Sequence, residues 1–170
     1  DRKTAGANAQ KLLQEHKAVA LFGYASATLS LDAMPQADKA GVLFFAPPSM
    51  VGAFIGSSPI RQYTEGWTLD WLLKTTEDAI TFAVSEGLEV LYVTEDTTRA
   101  DPETLRRLYS CAIRGGATRI CLADTVGFAT PSGVRALIKF VQDEIVAPSG
   151  ESIKIDWHGH RDRGFGRANT

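Results

Sequence analysis

The chain has 170 residues, 44% hydrophobic and 22% charged, with 18 basic against 20 acidic side chains and a net charge of -2. That apolar content excludes a disordered chain, and the near-neutral balance gives no electrostatic reason to expect a nucleic acid or an anionic membrane as partner. No apolar run approaches the roughly 20 residues of a membrane span. The opening Asp1-Arg2-Lys3 is unlike a signal peptide and the two cysteines make no disulfide framework, so a cytoplasmic setting is expected.

Residues 1–50 alternate helix and strand at a tight spacing. A helical pattern over Ala5–His16 leads to an apolar strand at Ala18–Phe22, and a second helix over Ser30–Ala40 leads to a strand at Val42–Phe45. Pro47-Pro48 and a change of rhythm mark a boundary at 47–52. Beyond it, Ala53–Ser57 reads as a short strand and Thr68–Glu86 as a helix. Glu89–Thr94 is rich in β-branched and aromatic residues, which fit a strand. Asp101 and Pro102 then cap and start a helix with Leu105, Leu108, Tyr109 and Ala112 on one face, ended by Gly115-Gly116. Arg119–Ala123 is the next strand. Thr130-Pro131 opens a helix with Val134, Leu137, Ile138, Val141 and Ile145 on one face, and Ser152–His158 is the last strand.

The strands centred on Ile55, Leu91, Ile120 and Ile155 recur every 29 to 36 residues. One βα unit of an eightfold α/β barrel takes roughly 31, and a complete barrel takes ~250, more than this chain holds. Alternation at this period predicts an α/β fold with parallel strands and helical crossovers. An open Rossmann-like sheet shares that rhythm.

The ends of these strands carry the candidate chemistry. His158-Gly159-His160 sets two imidazoles at i and i+2, on one face of a strand, where they could converge on one ion. Two ligands fall short of the three that catalytic metal sites use. Glu95-Asp96-Thr97-Thr98-Arg99 follows one strand, Asp124-Thr125-Val126-Gly127 the next, and Gly56 to Arg61 the first. Each has a plain structural reading: helix caps, a turn with Gly127 at positive φ, an ion pair. Together, four successive strand ends carrying Arg, Glu, Thr and two His fit a metal-assisted site for an anionic substrate. Cys111 and Cys121 read as core residues, and Trp67, Trp71 and Trp157 as packing.

The motifs GSSPIRQY (56–63), YVTEDTTRAD (92–101), LADTVGFATP (122–131) and HGHRDRGFGRANT (158–170) make residues 52–170 resemble the central part of a 2-isopropylmalate or homocitrate synthase. These are metal-dependent TIM barrels of the pyruvate carboxyltransferase, or HMG-CoA lyase-like, superfamily. The resemblance implies a Claisen-type condensation of acetyl-CoA with a 2-oxo acid held on a divalent metal (Mn, Mg or Zn), as in leucine and related amino-acid biosynthesis. Carried over by position, His158 and His160 would be metal ligands, Thr125 and Arg61 would bind substrate, and Glu95 would be catalytic. Arg61 stands where many members have histidine. No Arg-Asp pair of the family's first strand precedes residue 52 and the chain stops at Thr170, so a partial barrel with negligible activity of its own is expected. A homo-oligomer is left open.

The first 50 residues resemble another family. KLLQEHKAVALFGYASATLS (11–30) and GVLFFAP (41–47) are similar to part of a branched-chain amino acid-type periplasmic substrate-binding protein, with Ser26 and Thr28 at its ligand loop. This resemblance implies the alternative function, a non-enzymatic amino-acid or solute-binding module.

Overall fold

The computed structural model describes residues 2–18, 20–22, 33, 35–45 and 50–169. They form two compact units, Asp1–Met50 and Val51–Thr170.

In the first unit, α1 (Arg2–Gln14) precedes a short strand, β1 (Ala20–Phe22), and helical residues 35–39 (α2) precede β2 (Leu43–Phe45). The two strands pair in parallel, Ala20 opposite Leu43 and Phe22 opposite Phe45. Buried Ala9, Ala33 and Ala37 form a small core against Leu13, Ala18 and Val42. Ser26 and Thr28 lie outside the described residues, as does most of the expected 47–52 boundary.

The second unit is an α/β fold with a four-stranded sheet in the order β3 (Met50–Gly56), β4 (Glu89–Glu95), β5 (Arg119–Asp124), β6 (Lys154–Gly159). Parallel registers set Leu91 opposite Arg119 and Ala123 opposite His158. Spatial order therefore follows chain order, each strand beside the one before it, as in a segment of a TIM barrel. Between the strands run α3 (Pro59–Glu65), α4 (Leu69–Ser85), α5 (Pro102–Arg114) and α6 (Pro131–Val141).

The helix starts are written in the sequence. Thr68 accepts from the Trp71 amide, Asp101 from those of Glu103 and Thr104, and Thr130 from Gly133, each cap satisfying an otherwise orphaned donor. Strand alternation then sorts the sheet's two faces. Val90, Tyr92, Ile120, Leu122, Ile155 and Trp157 join helix residues such as Leu72, Ile80, Leu108 and Val141 in one core. Leu91, Val93, Glu95, Arg119, Cys121, Ala123, Asp156 and His158 take the intervening positions and so share the opposite face.

Several expected boundaries move. β3 starts at Met50 rather than Ala53, and β6 runs from Lys154 to Gly159 rather than from Ser152 to His158. The segment after β3 is helix α3, because Ser58 caps it, Pro59 starts it and Gly66, at φ 66°, closes it. The last helical pattern is not one helix through Ile145. It is α6 followed by a wider π turn, Gln142–Val146, and a single turn, α7 (Ala147–Ser149), before Gly150 at φ 72°. Ile145 stays buried through that change.

Candidate active site at the strand ends

The C-terminal ends of β3 to β6 deliver the sequence-predicted residues to one edge of the sheet, where barrels of this kind build their sites. They arrive as linked pairs rather than as a single cluster.

Arg61, from the first turn of α3, lies 3.6 Å by Nε from Oε2 of Glu95 at the end of β4, and 3.0 Å by Nη1 from Glu65. Its guanidinium also faces the Trp67 ring at 5.7 Å. Glu95 is held from its backbone side: its carbonyl accepts from the Ser57 amide at 3.1 Å and the Ser57 hydroxyl at 3.0 Å, so the ends of β3 and β4 are locked together. The Arg61 pairings leave other guanidinium donors for a ligand.

Thr125 follows β5, and its Oγ1 accepts from the Asp96 amide at 2.8 Å. The turn that presents it is pinned by Asp124, 1% exposed, whose Oδ1 accepts from the Phe128 amide and Oδ2 from the Ala129 amide, both at 3.0 Å. The Asp124 carbonyl accepts from the His160 amide at 3.2 Å, tying the end of β6 to the same turn. Gly127 sits at φ 62°, and a Cβ there would meet Asp162 Oδ2 at 2.6 Å, so only glycine fits both the turn and the close approach of the final loop.

His158 and His160 are exposed side chains with ring centroids 5.4 Å apart and planes 74° apart. His158 stands on β6 and His160 just past its end, with Gly159 between them, and two exposed imidazoles are donors of the kind a divalent ion takes. Among the described residues, no group of three or more His, Cys, Asp or Glu could hold a metal ion.

Beneath this edge the same face carries a bidentate ion pair, Arg119 to Asp156, with Nε–Oδ2 at 2.7 Å. Beside it, burial pushes the Cys121 thiol up to about 11, and the Asp156 charge adds to the rise. Burial likewise raises the hydroxyls of Tyr92 and Tyr109 and the Cys111 thiol. Both cysteines are buried, as expected of core residues. These groups stay protonated in the folded chain where the unfolded chain would ionise, so stability is present below pH ~9 and falls as the pH rises through the folded values. Thermal unfolding followed from pH 8 to 11 should show Tm falling above pH 9, with part of the fall removed in Cys121→Ala. A flat profile over that range would contradict the burial of these groups.

A cavity of about 510 Å³ lies between α5 and α6, walled by Leu105, Phe128, Val134, Leu137 and Phe140, with Thr98 but neither histidine in its lining. The residues that sequence reasoning left without a role are Asp96, Arg99 and Asp124. They were legible only as loop polar residues: the Asp96 amide finds its partner 29 residues away and depends on an unusual backbone angle, and the turn that Asp124 closes through Phe128 and Ala129 has no period in the sequence.

The profile of the HMGL-like family matches residues 9–170. The chain belongs to the HMGL-like family. Among relatives of this HMGL-like chain, the mitochondrial homocitrate synthase of Schizosaccharomyces pombe is 34% identical over 121 residues, 71% of this chain and 28% of that protein. The 2-isopropylmalate synthase of Nostoc sp. is 35% identical over 125 residues, 73% of this chain and 23% of that protein. The HMG-CoA lyase of Bacillus subtilis shares the fold with a TM-score of 0.63 at 17% identity, over 98% of this chain and 53% of that one. The chain thus spans about a quarter of the length of the synthases it matches.

The expected binding-protein segment needs correction. The HMGL-like match begins at residue 9 and so takes in most of residues 1–50, and no comparison supports a periplasmic binding protein or the solute-binding alternative built on it. Short strands flanked by helices are common to both kinds of α/β protein, which is why a local run such as residues 11–30 is a poor discriminator. Among the described residues no helix is long and apolar enough to cross a membrane.

Proposed function

We propose that the chain is part of a metal-dependent acyltransferase of the 2-isopropylmalate synthase type, condensing acetyl-CoA with a 2-oxo acid. The observation that supports this reading is that Arg61, Glu95, Thr125, His158 and His160 all stand at or just after the C-terminal strand ends of one parallel sheet in an HMGL-like chain.

In this account His158 and His160 hold the divalent ion. When bound, such an ion supplies Lewis acidity, drawing electron density from the keto oxygen of the oxo acid. The Thr125 hydroxyl donates to the oxo-acid carboxylate and Arg61 offers its remaining N–H groups to the same anion. Glu95, through the carboxylate oxygen turned from Arg61, takes up or returns a proton at the reacting centre. Two protein ligands make a weak metal site, so this chain by itself is expected to show negligible condensation, read as release of free CoA from acetyl-CoA with a 2-oxo acid.

Metal binding is the direct test. An ion that binds only the folded state raises the melting temperature, by an amount equivalent to about 2.7 kcal/mol at a hundredfold excess over Kd. Mn²⁺ or Zn²⁺ should raise the Tm of the wild-type chain by a few degrees, and the rise should vanish in the His158→Ala, His160→Ala double variant. No rise in the wild type, or an equal rise in the variant, would overturn the reading.

A further inference from the structure

The turn after β4 holds a device that none of the roles above uses. Asp96 adopts a left-handed backbone, φ 61° and ψ 38°, and is 2% exposed. A residue with a side chain is rarely held there, and when it is, its surroundings impose the conformation. Arg99 supplies the constraint. Its Nε donates to Asp96 Oδ1 at 2.8 Å and its Nη2 to Oδ2 at 2.7 Å, while its own amide donates to the Asp96 carbonyl at 3.2 Å. The outcome is that the Asp96 N–H crosses to the next strand end and donates to Thr125 Oγ1 at 2.8 Å.

That donation decides what Thr125 can do. An amide N–H occupies one of the two lone pairs of the hydroxyl oxygen and so narrows the directions open to the Thr125 O–H, the only part of that group an acceptor such as a carboxylate can use. We propose that Asp96 and Arg99 are positioning residues, which fix the Thr125 hydroxyl as a hydrogen-bond donor to a ligand carboxylate by holding the Asp96 amide on its oxygen. The inference rests on the proposed role of Thr125 in binding the oxo acid. Asp96 does not touch the ligand: its carboxylate is taken up by Arg99, and it acts through its amide. A hydroxyl whose oxygen is already engaged has fewer orientations to lose when the ligand arrives, so the device works by preorganisation.

The test combines residue-resolved amide hydrogen exchange with titration of pyruvate, the simplest 2-oxo acid carboxylate, on the 170-residue chain with Mn²⁺ present. Asp96 amide exchange should rise at least tenfold in Thr125→Val and stay near wild type in Thr125→Ser. Arg99→Ala should release the same amide and weaken pyruvate binding at least fivefold, and Arg99→Lys, which keeps the charge but not the fork, should do so with a smaller fall in Tm than Arg99→Ala. Asp96→Gly adopts positive φ without help, so it should retain more amide protection than Asp96→Ala. Wild-type exchange and affinity in both Arg99 variants would overturn the positioning role. Absence of pyruvate binding by the wild-type chain, with the exchange pattern intact, would instead refute the oxo-acid reading and the carboxylate part of this inference, leaving the hydroxyl-fixing role supported by exchange.

Discussion

Asp124→Ala should destabilise the Val51–Thr170 unit by about 3–6 kcal/mol, because hydrogen bonds to a charged group are worth about 1.5–3 kcal/mol each and two would be lost. The carboxylate is 1% exposed and accepts from the Phe128 and Ala129 amides, with the Thr98 hydroxyl at 3.3 Å as a third donor. Ala129 is 8% exposed, so its amide would have little water to turn to. Asn is no substitute, since its amide nitrogen cannot accept and would oppose one of the two N–H groups. Asp124→Asn should therefore cost about half as much. Urea unfolding reads this directly, as a lowered midpoint with an unchanged slope. A loss below about 1 kcal/mol for the alanine variant would mean that the turn presenting Thr125 does not depend on this carboxylate.

Thr97→Val should cost about 2–3 kcal/mol despite its near-identical shape, the range expected when a buried donor loses its partner. The Thr97 hydroxyl donates to the Thr94 carbonyl at 2.6 Å and accepts from the Ala123 amide at 2.8 Å, with the Thr94 hydroxyl at 2.7 Å. The Thr94 hydroxyl lies 2.6 Å from that of Tyr109, which donates to the Cys121 carbonyl at 3.0 Å, and the single Thr94 proton goes to one of its two hydroxyl neighbours. This chain of buried hydroxyls joins β4, β5 and α5 directly below the strand ends. A valine would strand the Ala123 amide, 4% exposed, inside the sheet. Thr97→Ser keeps the oxygen and should recover most of the loss in the same unfolding measurement. Equal midpoints for the valine and serine variants would show that shape, not the hydroxyl, matters there.

Both predictions concern residues that the sequence presents only as polar members of a loop. What was legible there was local. The caps at Asp101 and Thr130 were readable because an N-cap bonds within three residues of itself, and the structure has both. The helix at Pro59–Glu65 carries the same signals in Ser58, Pro59 and Gly66, but at seven residues it is too short for a helical period to stand out. The π turn at Gln142–Val146 was hidden for the opposite reason, since Val141 and Ile145 keep a helical spacing across it.

The candidate site divides along the same line. By itself the sequence determined the alternation of strands and helices, the faces of those strands, and which side chains stand at their ends, because these follow from periods of two and 3.6 residues and from local capping. Pairing between those ends was decided only by the tertiary structure. Parallel registers bring Glu95 to Arg61, the Asp96 amide to Thr125 and the His160 amide to Asp124, across separations of 29 to 36 residues. Which donor meets which acceptor at that range depends on strand order, register and one left-handed backbone angle, and none of these leaves a period in the sequence.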